Sequence, residues 1–154
     1  MIFRIESPGS AAAQSLMAAL DEDIVGRYPG EPTNGIDPAE FAATGGVFVV
    51  CYVNDMPVAC GAFRPFEGAA EIKRMYVMPS MRGRGLACAV LDFLEAEAVR
   101  RGFSRVILET GRQMTEALGL YRSRGWTEIP AFGPYAGDPK SICFEKPLAK
   151  PVQR

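Results

Sequence analysis

The sequence predicts a single-domain α/β fold: one mixed sheet of six to seven strands with helices on both faces. Three observations predict it. Val47 to Val53, Val58 to Phe63 and Ala69 to Val77 are β-branched and aromatic runs joined by short turns, which read as an antiparallel meander. The third run leads into an amphipathic segment, Gly85 to Arg100, and then a short apolar strand, Arg105 to Glu109. That strand–helix–strand unit implies a parallel, right-handed crossover. A chain of 154 residues suits one domain with one core, here residues 1–148, with 149–154 as a flexible tail.

Each element has its own signal. Ile2 to Ile5 alternates like a short strand. Ser10 to Val25 carries Leu16, Ala19 or Leu20, and Ile24 at helical spacing, and Arg27 to Asn34 is a loop rich in proline and glycine. Asp37-Pro38-Ala39-Glu40 reads as a capping box with proline in the first helical position, opening a helix to about Ala43. Asn54-Asp55 makes a tight turn, and Arg64 to Gly68 makes a second. Leu86, Val90, Phe93 or Leu94, and Ala98 form the apolar stripe of the central helix, which Gly102 ends. Met114, Ala117, Leu118 and Tyr121 mark another helix, closed by Gly125. Trp126 to Ile129 and Ser141 to Lys146 are the last strands, split by a loop from Pro130 to Pro139.

Composition narrows the function. Net charge is −1, which speaks against nucleic acid or a membrane surface as partner. No apolar run nears the roughly 20 residues of a membrane span, and the first residues show no secretory signal, so the cytoplasm is the expected location. The chain has four dispersed cysteines and no histidine. That leaves neither a zinc-type ligand set nor a Cys–His nucleophile, and no metal is expected.

The informative stretch is Arg82-Gly83-Arg84-Gly85-Leu86-Ala87, between a strand and a helix. Two glycines permit a tight bend that a ligand can approach closely. The helix directs its first N–H groups into that bend, and the arginines add positive charge. An anion such as a pyrophosphate is the natural guest. A dinucleotide fingerprint fits less well, because Cys88 holds the third glycine position and Met78 to Met81 separates strand from turn. No G-K-[ST] follows, so a nucleoside-triphosphate loop is excluded.

The pattern R-x-x-G-x-A here closely resembles the acyl-CoA loop of the GNAT superfamily of N-acetyltransferases. Ala117-Leu118-Gly119-Leu120-Tyr121-Arg122-Ser123-Arg124-Gly125-Trp126 resembles the same family's A-x-x-L-Y-x-x-x-G-[FWY] segment. The resemblance implies acetyl-CoA as co-substrate, its pyrophosphate held by backbone N–H groups of Arg82, Gly83, Arg84, Gly85, Leu86 and Ala87. It implies a bulged strand before the loop, with exposed backbone at Tyr76 and Val77 for the pantetheine arm. It departs at Met114, where many relatives carry a cofactor-contacting asparagine; Gln113 or Arg112 could take over.

Acetyl transfer needs a base for the ammonium and an acid for the leaving thiolate. Glu71, eleven residues before Arg82, is the expected base, since several GNAT enzymes carry a catalytic glutamate at that spacing. Pairing with Arg74 or Lys73 is its alternative use. Tyr121 is the expected acid, neutral at pH 7 with a reference pKa near 10. Its alternative use is core packing. The acceptor pocket is expected at Arg27, Tyr28, Arg64 and Tyr135 and near the Asp37 helix. The reading is therefore acetyl transfer to the primary amine of a small molecule, in a chain that could form a homodimer. A silent acyl-CoA sensor and a protein N-terminal or lysine acetyltransferase are the alternatives, with a dehydrogenase third.

Overall fold

The computed structural model describes residues 1–30 and 35–149. The end of the expected loop, at 31–34, and most of the expected tail, at 150–154, lie outside the described residues. The strands are β1 (Ile2–Ile5), β2 (Val47–Val53), β3 (Met56–Phe66), β4 (Ala69–Val77), β5 (Arg105–Gly111), β6 (Thr127–Ile129) and β7 (Ser141–Pro147). The helices are α1 (Ala11–Arg27), α2 (Pro38–Ala43), α3 (Leu86–Arg100) and α4 (Thr115–Ser123). All seven strands join one sheet in the order β1-β2-β3-β4-β5-β7-β6. Among the described residues, only β4 and β5 pair in parallel.

Strand alternation sorts the core into two layers. Val47, Val49, Ala70, Ile72, Val106 and Leu108 face α3 and α4, meeting Val90, Leu94 and Leu118. Phe48, Val50, Cys60 and Ala62 face the other way, against Leu16, Leu20 and Phe41 of α1 and α2. Helices therefore cover both faces, as the pattern implies. α1 starts where the Ser10 hydroxyl accepts from the Ala13 N–H, and α2 where the Asp37 carboxylate accepts from the N–H groups of Ala39 and Glu40.

The expected second turn is shorter than the sequence suggests. β3 runs on through Arg64, Pro65 and Phe66, and the reversal uses only Glu67 and Gly68, with φ of 47° and 84°. Two successive left-handed residues match the twist of a hairpin, which is why the ladder extends to Phe66 opposite Ala69.

Two irregularities in β4 position the site. Ala62 pairs with Lys73 but Cys60 pairs with Tyr76, so Arg74 and Met75 together oppose Gly61. This bulge puts Arg74 at φ 58° and flips the alternation, so Glu71 and Tyr76 share a face. The buried Arg74 guanidinium donates to the Met17 carbonyl (3.3 Å) and pairs with Asp21 (2.5 Å), fastening α1 across the bulge. The β4–β5 ladder, meanwhile, spans only Ala70–Ile72 with Val106–Leu108. Past that point β4 stays with β3 and β5 with β7, and the two strands part at their carboxyl ends. Such a parting in a parallel pair is where ligands enter α/β sheets.

Gly61 allows the bulge to close. A Cβ there would lie 2.5 Å from the Met75 sulfur and 2.8 Å from Val90 Cγ1. Gly61→Ala is expected to cost about 1–3 kcal/mol through overpacking, read as a fall in the denaturation midpoint at unchanged m-value.

Candidate active site

Two cavities open where β4 and β5 part. The first, about 410 Å³, is bounded by Tyr76 and Val77 of β4, the 81–83 segment, and Gly85 to Cys88 at the start of α3. The second, about 220 Å³, is bounded by Glu71 and Lys73 of β4, Glu109 to Gly111 of β5, and Tyr28, Tyr135 and Ser141. Leu20, Met75, Met114 and Ala117 line both, so the cavities meet at a wholly apolar neck.

The larger cavity suits an anion. Gly83 and Gly85 sit at φ 79° and 78°, left-handed values that a residue with a Cβ adopts only at a cost. Gly85 is the N-cap of α3 and supplies no side-chain cap. The first intrahelical bond runs from the Ala89 N–H to the Gly85 carbonyl, leaving Leu86, Ala87 and Cys88 N–H groups at the cavity edge without one. The N–H of Arg82 is already taken by the Pro79 carbonyl (3.3 Å), so the open run starts after it. The Arg82 side chain donates to the Val77 carbonyl (3.0 Å) and lies 5.7 Å from the Tyr76 ring. Of the residues expected at the loop, Arg84 alone does not reach the cavity wall. Glu116 borders the same space, but Arg27 grips its carboxylate at 2.9 and 3.1 Å and holds its pKa down at about 2. The acidic wall is thereby compensated.

The smaller cavity is polar on its far side. Glu71 is buried; its carboxylate accepts from Arg64 Nε (3.2 Å) and the Tyr135 hydroxyl (3.4 Å) and lies 3.7 Å from Lys73 Nζ. Lys73 in turn donates to the Tyr135 hydroxyl at 3.2 Å. Burial lowers the Lys73 pKa against the pull of Glu71, and burial raises that of the Tyr135 phenol. Glu109 sits opposite on β5, where its Oε2 accepts from the Ser141 hydroxyl at 2.7 Å. Burial pushes the Glu109 carboxyl above its ordinary value, against the opposing effects of Ser141 and Lys73.

The chain from residue 13 to 126 matches the model of the acetyltransferase (GNAT) family. The chain belongs to the GNAT family. It is an N-acetyltransferase, and its relatives agree. An IAA acetyltransferase of Azospirillum brasilense is 36% identical over 145 residues, which is 93% of this chain and 95% of that protein. A Klebsiella pneumoniae structure described as an acyl-CoA N-acyltransferase superposes with a TM-score of 0.81 at 32% identity, covering 96% of this chain and 97% of that one. A GNAT acetyltransferase of Elizabethkingia anophelis with acetyl-CoA bound shares the fold (TM-score 0.68, 15% identity), covering 96% of this chain and 97% of that one.

Among the expected site residues of this GNAT chain, Glu71, Tyr28 and Tyr135 do come together at the smaller cavity. Four expectations shift. Arg27 lines the larger cavity instead, and Arg64 lines neither; both guanidinium groups hold carboxylates of the chain itself, Glu116 and Glu71. The Asp37 helix reaches neither cavity. Tyr121 is buried between Trp126 and Phe144, with ring centroids 5.6 and 5.8 Å away, and lines neither cavity. Burial raises its hydroxyl pKa well above 10. Lys73 pairs with Glu71, as its alternative use allowed, while Glu109 and Ser141 are cavity residues that sequence reading did not place at the site. The one signal was the Glu-Thr-Gly ending of β5, one step past the Ile72–Leu108 pair that closes the parallel ladder.

Among the described residues, no helix is long and apolar enough to cross a membrane.

Proposed function

We propose that the chain moves an acetyl group from acetyl-CoA to the primary amine of a small molecule, by direct attack while both are bound. The observation that carries this reading is the meeting of an anion-ready cavity and a polar cavity at one apolar neck. A thioester entering from one side and an amine from the other can reach each other only there. A cavity of about 220 Å³ holds about seven waters' share of liquid volume, room for a compact acceptor.

Acetyl-CoA supplies the acetyl group already activated as a thioester. The N–H groups that open α3 hold the diphosphate, and positioning both reactants lowers the barrier by converting an encounter into an internal step. Glu109 is assigned the proton of the ammonium in preference to Glu71. Three donors already crowd the Glu71 oxygens, whereas Glu109 Oε1 has no hydrogen bond among the described residues. A carboxyl raised by burial also lies closer to the working pH, as a base requires. Glu71 then holds Lys73 and Tyr135 in place.

Tyr121 is kept as donor to the departing thiolate. It lies one helical turn after Ala117, which lines both cavities, and a phenol is protonated at neutral pH, although its ring packs on Trp126 and Phe144 and lines neither cavity. Tyr121→Phe is expected to slow turnover by about tenfold or more while acetyl-CoA affinity holds. A wild-type rate would assign the ring to packing alone.

The whole reading is tested by thiol release from acetyl-CoA across a panel of small amines and lysine- or N-terminal-bearing peptides. Release with small amines supports it. Binding of acetyl-CoA with no release for any amine would make the chain a sensor, and release with peptides alone would make it a protein acetyltransferase.

A further inference from the structure

The far wall of the smaller cavity holds a buried cation with donors to spare. The Lys73 side chain is 9% exposed. Its Nζ donates to the Tyr135 hydroxyl at 3.2 Å, while Glu71 Oε2 lies at 3.7 Å, a charge contact too long for a hydrogen bond. An ammonium carries three N–H groups, and among the described residues the other two have no acceptor. The Tyr135 hydroxyl directs its own proton to Glu71 at 3.4 Å, so it meets Lys73 as an acceptor. We propose that the two open donors bind the carboxylate of the acceptor, so that the small molecule acetylated is an α-amino acid, with its ammonium at Glu109 and its carboxylate at Lys73. The proposal rests on the acetyl-transfer reading above.

Charge and topology support it. Glu71 is shared by two cations, Arg64 Nε at 3.2 Å and Lys73 at 3.7 Å, so this wall holds more positive charge than it cancels. Arg74, the next cation on β4, is paired with Asp21. Burial lowers the Lys73 pKa, a cost that a bound carboxylate offsets. Lys73 and Glu109 are the first residues past the Ile72–Leu108 pair that closes the parallel ladder, so they flank the fork of the two strands from neighbouring positions. Both line the one cavity, yet among the described residues no ion pair joins them. A ligand that bridges them must carry opposite charges close together, as an ammonium and a carboxylate on one carbon do. A simple amine leaves the Lys73 donors unmet, and a diamine sets a second cation against them. Leu20, Ile24 and Ile72 offer an apolar wall for a compact side chain in a space of about 220 Å³. In the transfer, the amine nitrogen bonds to the thioester carbon as the C–S bond breaks. One of its protons goes to Glu109 and a second to the departing sulfur, and the carboxylate at Lys73 takes no part.

The test is thiol release from acetyl-CoA with the common α-amino acids singly, each beside its amide and its decarboxylated amine (for L-leucine, L-leucinamide and isoamylamine). The amide's amine is less basic than the amino acid's and the decarboxylated one more basic, so a preference over both reports the carboxylate. For its best amino acid the wild type should show a kcat/KM at least about tenfold above both counterparts, the effect of a hydrogen bond between charged groups. Lys73→Gln should abolish that ratio. Because Lys73→Gln breaks a buried pair, product binding is also titrated in Glu71→Gln/Lys73→Gln, which removes both of its charges. There the N-acetyl amino acid should lose the advantage over its amide, about tenfold or more, that it holds in the wild-type coenzyme A complex. Equal or faster release with the amide or the decarboxylated amine overturns the proposal and leaves acetyl transfer to a small amine standing. A carboxylate preference that survives in the variants overturns it as well. Coenzyme A bound with no release for any amine overturns the acetyl-transfer reading and this proposal together.

Discussion

Glu109→Gln is expected to lower kcat/KM for the acceptor by about 10²- to 10⁴-fold, the range a general base contributes. Glutamine keeps the shape and can still accept from the Ser141 hydroxyl, so the loss reports the missing proton acceptor rather than a collapsed wall. Burial raises the Glu109 carboxyl, and Lys73, Asp138 and Glu71 are the charged groups acting on it. The base must be ionised, so wild-type kcat/KM should climb with pH along a limb above the ordinary carboxylate value, and that limb should vanish in Glu109→Gln. Stability should move oppositely. A carboxyl whose folded pKa exceeds its unfolded one binds more protons when folded, so stability falls as pH rises through that window. At neutral pH the ionised, half-buried Glu109 is therefore a cost, and Glu109→Gln should raise Tm. Glu71→Gln should do the reverse: it leaves the buried Lys73 without its carboxylate, a loss of about 3–5 kcal/mol for a broken buried pair. Wild-type kinetics in Glu109→Gln, with the limb lost in Glu71→Gln, would return the base to Glu71.

Gly85→Val is expected to weaken acetyl-CoA binding by about 100-fold or more. Gly85 holds φ 78° at the start of α3, a conformation costing about 1–2 kcal/mol for a residue with a Cβ. Relaxing that strain turns the neighbouring N–H groups away from the diphosphate. Losing two hydrogen bonds to a charged group removes about 3 kcal/mol or more, which is about two decades of affinity. A Cβ at Gly85 meets nothing within 4 Å, so the fold should persist with a modestly lower Tm. Equilibrium titration beside thermal unfolding separates the two effects; an unaltered affinity would place the diphosphate elsewhere.

Much of this was legible from local signals. β2 begins and ends where its β-branched and aromatic residues do, β4 ends at Tyr76-Val77, and α3 follows its apolar stripe from Leu86 to Ala98. The loop was legible because glycine at 83 and 85 has a backbone meaning independent of the rest of the chain. Features made by distant pairing were not. The family resemblance implied a bulge in β4, but not its place at Arg74 and Met75 opposite Gly61, which decides that Glu71 and Tyr76 share a face. Ser141 comes to Glu109 only because β7 inserts between β5 and β6. Arg27 reads as an acceptor-pocket residue until α1 is laid beside α4, where it meets Glu116, and Tyr28 beside it accepts from the Gln113 N–H at 2.8 Å. Charge and spacing name candidates; tertiary contacts decide which are already engaged.

The most direct measurement is a crystal structure of the chain with coenzyme A. The diphosphate oxygens should lie within hydrogen-bond reach of the main-chain N–H groups from Gly83 to Ala87, with the thiol at the neck between Met75 and Met114. Coenzyme A bound elsewhere, with those N–H groups facing only water, would contradict the account.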